Sequence, residues 1–116
     1  IGNFGAEKLG EALSQNESVK HLILSDNQIS DEGCISLLNN LKNNKTLQSL
    51  FIADNPIGDK SIKTLVELLN NSPTQLKIID CRGCKVKDTE IIKRVLSVAK
   101  EKGITIYQDQ LTQIES

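Results

Sequence analysis

Apolar residues along this chain follow two periods that alternate. In Leu22-Ile23-Leu24 and Leu50-Phe51-Ile52 the outer members of each triplet are two apart, the spacing that turns them to one buried face of a short strand. Further on, Cys34, Leu37, Leu38 and Leu41 recur at three- and four-residue intervals, as do Ile62, Leu65, Val66 and Leu69, which predicts amphipathic helices. The whole unit then repeats. Val19, Leu22, Leu24, Asn27, Ile29, Leu37 and Leu41 return 28 residues later as Leu47, Leu50, Ile52, Asn55, Ile57, Leu65 and Leu69. A further step of 29 lands on Leu76, Ile79, Cys81, Cys84, Val86 and Val98. A step back of 28 sets Ile1, Gly5, Leu9 and Leu13 beneath Ile29, Gly33, Leu37 and Leu41.

Polar residues punctuate the unit at fixed places. Asn3, Asp31, Asp59 and Asp88 share one register at the helix starts, where a side-chain oxygen can accept from the unpaired N–H groups of the first turn. Gly103 stands where a left-handed helix C-cap is expected. A single strand and helix cannot bury a core, so such units stack. The pattern predicts a right-handed α/β solenoid, with a short parallel sheet on the concave face and helices on the convex face. It divides into a partial repeat at 1–18, repeats at 19–46, 47–75 and 76–103, and a C-terminal cap at 104–116, all in one domain. Arg94 departs from the pattern, because it falls on the register of Leu37 and Leu65. A small rotation of its helix, leaving Ile91, Val95 and Val98 as the apolar stripe, is the expected remedy. Residues 1–15 supply a helix whose own strand would precede Ile1, so the chain reads as a piece of a longer protein with an open N-terminal edge.

The run Leu47-x-x-Leu50-x-Ile52-x-x-Asn55-x-Ile57, closed by a helix in a unit of 28–29 residues, resembles the ribonuclease-inhibitor type of leucine-rich repeat. The same repeat type builds the sensor regions of NOD-like receptors, the Ran GTPase-activating protein and the tropomodulins. The resemblance implies that Asn27 and Asn55 are structural, each bonding backbone groups of its turn and of the neighbouring repeat in a ladder. Cys84 takes the third rung, where a thiol can serve as a weak donor. The resemblance also implies a protein–protein interaction module of a larger intracellular protein. The alternative it carries is a GTPase-activating regulator with Arg82 at a strand end.

Composition narrows the picture. The net charge of −1 and the 3% aromatic content give no reason to expect nucleic acid as a partner. Eight basic against four acidic residues between Lys77 and Lys102 read as the solvated face of the last helix and its flanks. No run approaches the length of a membrane span, so a membrane is not an expected partner either. Three cysteines in no disulfide pattern point to a reducing compartment, hence the cytoplasm. Cys81 and Cys84 form a C-x-x-C pair, but Cys81 stands on a core register and Cys84 on the ladder, so neither metal nor redox use is expected. The sequons at Asn16, Asn44 and Asn70 fall near the helix-to-strand corner and read as turn residues. No nucleophile, base and orienter can be assembled around the lone His21, and no enzyme activity or cofactor is expected.

What remains for function is the face opposite Leu22 and Leu24. Alternation turns His21, Ile23 and Ser25 outward, followed by Ser49, Phe51 and Ala53, then Ile78, Asp80 and Arg82. Ile23 beside Phe51 is apolar bulk that the fold does not need, and it is the expected anchor for a protein partner. Self-association through the open N-terminal edge is a further expectation.

Overall fold

The computed structural model describes residues 1–110. The chain runs α1 (Gly2–Ser14), β1 (His21–Ile23), α2 (Asp31–Asn40, extended by a 3-10 turn at Leu41–Asn43), β2 (Ser49–Phe51), α3 (Asp59–Asn71), β3 (Ile78–Asp80), α4 (Thr89–Lys102) and β4 (Thr105–Tyr107). The strands form one parallel sheet in chain order, β1-β2-β3-β4. Its register matches the repeat residue for residue: Leu22 pairs with Leu50, Leu50 with Ile79, and Ile79 with Ile106. Helices pack in the same order, α1 on α2, α2 on α3 and α3 on α4. This is the expected α/β solenoid, one strand and one helix per turn.

The core lies between sheet and helices. Leu22, Leu24, Ile29, Leu37, Leu41, Leu47, Leu50, Ile52, Ile57, Leu65, Leu69, Leu76, Ile79, Cys81 and Val86 are all buried, while Val19 is half-buried. Fully burying one such aliphatic side chain is worth about 1.5–3 kcal/mol, so the repeating apolar registers hold the stack together. Asn55, also buried, supplies the ladder. Its Oδ1 accepts from Asn27 N (3.0 Å) and Ile29 N (2.9 Å), and its Nδ2 donates to Leu24 O, Ile52 O and Ala53 O. One carboxamide therefore satisfies backbone groups of two successive turns. Asn27 repeats the bond one unit earlier, its Oδ1 accepting from the Ile1 amino group at 2.7 Å. The Cys84 thiol donates to Ile52 O at 3.4 Å.

Capping differs from the expectation. Asp31 is the first residue of α2, yet its Oδ1 accepts from Gly58 N (2.9 Å) and Ser61 N (3.2 Å) at the start of α3, and from the Ser61 hydroxyl. Asn3 does the same for α2, accepting from Ser30 N (2.9 Å) and Gly33 N (3.1 Å). Asp59 accepts from Lys87 N and Asp88 N at the entry to α4. Asn3 and Asp31 thus cap the next helix rather than their own, while Asp59 holds the segment that leads into α4. Stacking sets the starts of neighbouring helices side by side, and an oxygen at the first or second helical position points across the gap. Among the described residues only Asp88 caps its own helix, accepting from Glu90 N at 2.9 Å.

The same place resolves Arg94. The N-cap of α3 is Gly58 and that of α4 is Asp88, a step of 30, whereas Ile57 and Val86 are 29 apart. One extra residue enters between Val86 and the helix, so every position of α4 shifts by one. Ile92, Val95 and Ala99 are buried in place of the expected Ile91, Val95 and Val98; Ile91 and Val98 are only half-buried. Arg94 lies in solvent. Gly103 closes α4 in the left-handed region, φ 70°, as anticipated. β4 begins the terminal unit at Thr105, and the rest of the expected cap, 111–116, lies outside the described residues.

The first two helix-to-strand corners are Asx turns. Asn16 Oδ1 accepts from Ser18 N and Val19 N, and Asn44 Oδ1 from Thr46 N and Leu47 N. Asn70 differs from both: it is an exposed residue in the last turn of α3.

Candidate functional site

Three rows of side chains stand on the sheet face away from the helices, and the strand register fixes who neighbours whom. The first row is His21, Ser49, Ile78 and Thr105, and the second is Ile23, Phe51, Asp80 and Tyr107. Two residues further along come Ser25, Ala53 and Arg82. The outward set named from alternation is therefore brought onto one surface.

Exposure within that surface is uneven. Ile23 is 70% exposed and Phe51 half-buried, whereas Ser49, Ala53 and Asp80 are buried although they face outward. Strands about 4.8 Å apart let a large neighbour cover a small side chain. Ser49 is also engaged by the His21 ring, whose Nδ1 lies 2.9 Å from the serine Oγ. Asp80 is covered by Arg82: Nε donates to Oδ1 at 3.0 Å and a terminal guanidinium nitrogen to Oδ2 at 2.8 Å. The bonded guanidinium holds the Asp80 carboxyl below its usual pKa, against burial, with help from the Arg82 backbone N–H. The outer side of Arg82 lies over the Tyr107 ring, 5.2 Å from its centre.

Tyr107 is the residue that sequence reading missed. It is 44% exposed and pairs with Asp80 in the sheet, so it extends the Ile23–Phe51 row to the last strand. The signal was available, because Ile104 to Tyr107 alternates as the earlier strands do.

The three cysteines carry no surface chemistry. Cys34, Cys81 and Cys84 are free and buried, and burial pushes their thiols up to about 12, 12 and 11 respectively. Thiols with such values are not nucleophiles at neutral pH. Among the described residues no group of three His, Cys, Asp or Glu is placed to hold a metal ion, and no helix is long and apolar enough to cross a membrane.

Comparison with known proteins agrees with the repeat. The leucine-rich-repeat family model matches residues 15–38 and 43–66. No curated protein sequence matches the chain significantly. Among solved structures, one described as actin-binding site 2 of leiomodin-1 is similar over 96% of this chain, with a TM-score of 0.83 and 22% identity. The tropomodulin C-terminal domain of Caenorhabditis elegans is similar over 95%, with a TM-score of 0.75 and 19% identity. This chain spans 66% and 65% of those two chains, just under two thirds of each. With its strand–helix units, its asparagine ladder, the family model matched at residues 15–38 and 43–66 and the fold shared with these structures, the chain has a leucine-rich-repeat fold similar to the ribonuclease-inhibitor type.

Proposed function

We propose that this chain is a non-enzymatic protein-recognition module that binds a protein partner through the strand-lined face, with Ile23 and Phe51 as its anchors. The observation that carries the reading is Ile23, 70% exposed beside Phe51 on a face where the fold needs no apolar bulk. Large apolar side chains at the centre of a surface are where interfaces concentrate their energy. The fold supports the same use, since the leiomodin-1 structure that shares it is described as an actin-binding site. Buried, free thiols fit a reducing compartment, and we place the module in the cytoplasm on that ground. The GTPase-activating alternative would need Arg82 to reach a nucleotide phosphate. Two of its three nitrogens are already committed to Asp80, which favours a structural role for it.

A second contact surface belongs to the reading. The outer edge of β1 ends the sheet, and Ile1 and Phe4 at the start of α1, the helix of the same terminal unit, are 61% and 73% exposed, so self-association through this end is proposed at high concentration.

A photo-crosslinking side chain at position 23 tests the main surface against the same group at position 63 on the outer helix face. The reading expects crosslinks to one protein from position 23, lost when Phe51→Ala is added. Crosslinks to that protein from position 63 alone would place the binding surface on the helices instead.

A further inference from the structure

The apolar pair sits between two rims of opposite charge. Where the strands begin, Lys20 and Lys77 are exposed, with Gln48 between them. Where they end, the chain turns through Asp26, Asp54 and Gly83, all at positive φ (58°, 57° and 73°). Asp26 and Asp54 are both exposed. Their backbones are held in register by the sheet, Asp26 N donating to Ala53 O at 3.0 Å and Asp54 N to Arg82 O at 2.9 Å. Asp109, also exposed, extends the rim, its Oδ2 accepting from Gly83 N at 2.9 Å, and the Asp54 side chain lies over the same glycine. The one cation among these groups, Arg82, is matched by Asp80. Three carboxylates are thus left to face a partner.

The distances suit a short recognition element. Asp26 and Asp54 lie three residues beyond Ile23 and Phe51, which is about 10 Å along a strand. A lysine or arginine side chain can cover that span from a neighbouring position, or from a position one helical turn away. We infer that the partner segment carries an apolar side chain beside a lysine or arginine. The apolar group covers Ile23 and Phe51, and the cation lies on the Asp26–Asp54 rim. This rests on the sheet face being the binding surface and adds to it the chemistry and orientation of what binds. The segment's cationic side points to the strand ends, and the lysine rim at the strand starts repels the reverse placement.

Selection from a random-peptide phage library on the intact 116-residue chain tests this. Two variants separate the claims. Asp26→Asn with Asp54→Asn removes the rim charge while keeping a residue that tolerates positive φ; Phe51→Ala removes the anchor. Selected peptides should carry Lys or Arg within about four positions of an apolar residue and bind the double variant about tenfold more weakly, the size of two exposed ion pairs. That loss should shrink in high salt. Peptides that need Phe51 but are neutral or acidic, or that bind the double variant unchanged, overturn the charge inference and leave the binding face standing. Peptides indifferent to Phe51→Ala overturn the face itself, and a library that yields no binder overturns both.

Discussion

Replacing Asp31 with alanine separates capping along the stack from capping within a helix. The carboxylate serves three donors of the next unit: Gly58 N, Ser61 N and the Ser61 hydroxyl. Ser61 is fully buried, so water cannot substitute for the lost acceptor there. Losing a helix cap costs about 1 kcal/mol. An unsatisfied buried donor costs about 1–3 kcal/mol. We therefore expect Asp31→Ala to destabilise the domain by about 2–3 kcal/mol in urea melts, and Asp31→Asn by less, since Asn3 performs the same task with a carboxamide. Hydrogen exchange locates the effect: protection should fall at Gly58 and Ser61 in α3, and the first turn of α2, capped by Asn3, should hardly change. The pH dependence follows from the same contacts. Burial works to raise the Asp31 pKa, but the Ser61 hydroxyl, the Gly58 and Ser61 N–H groups and Lys60 outweigh it, so the folded value lies below 3.8. A depressed carboxyl contributes stability that is complete above the unfolded value and lost as pH falls through the folded one. The Asp31 contribution should accordingly persist at pH 5 and fade below about 4. Loss of protection confined to α2 would refute capping across units.

Other positions give independent checks. Asn55→Ala leaves backbone groups of two turns unpaired and should cost about 1–3 kcal/mol, whereas Cys84→Asn, which restores the amide of the other rungs, should be neutral or mildly stabilising in the same melts. A value for Asn55→Ala within about 0.5 kcal/mol of the parent, typical of plain surface changes, would contradict the ladder. Iodoacetamide at neutral pH should leave all three thiols unmodified in the folded chain and label them readily in urea; rapid labelling of any one in the folded state would contradict its burial. Sedimentation should show concentration-dependent association that Phe4→Ser or a lysine at position 23 reduces, and a clean monomer at millimolar concentration would remove the proposed edge contact. Single-turnover GTP hydrolysis by a panel of small GTPases should be unchanged by the chain, with or without Arg82→Ala; acceleration that depends on Arg82 would revive the regulator reading.

The fold was legible because the repeat constrains every unit by its neighbours. Leu22, Leu50 and Ile79 had to share a face once their spacing was seen, and the outward row at Ile23 and Phe51 followed from alternation alone. Capping was half legible. Asp at a helix start marks a cap, but the sequence shows only which residues are near along the chain, while the accepting oxygen bonds to the helix beside it in space. Arg94 misled because the 29-residue step was carried past Val86 into a helix that begins one residue later; the spacing of Ile92, Val95 and Ala99 held the correct answer. The burial of Ser49 and Asp80 could not be read from alternation. It depends on which neighbouring side chains are long enough to cover them, His21 in one case and Arg82 in the other.

Binding through the strand-lined face depends most directly on Phe51, and the affinity of Phe51→Ala for the protein crosslinked from position 23 is the measurement that tests it. Phe51 is half-buried on a sheet surface, so the variant loses its cross-strand pair with Ile23, about 0.2–1 kcal/mol, and part of the ring's burial, but the core registers are untouched and it should stay folded. Truncating a central anchor commonly costs at least about 2 kcal/mol, which predicts a Kd weakened roughly thirtyfold while Lys63→Ala binds as the parent does. A folded Phe51→Ala variant that binds with parental affinity, with Lys63→Ala weakened instead, would contradict the strand-lined face as the binding surface.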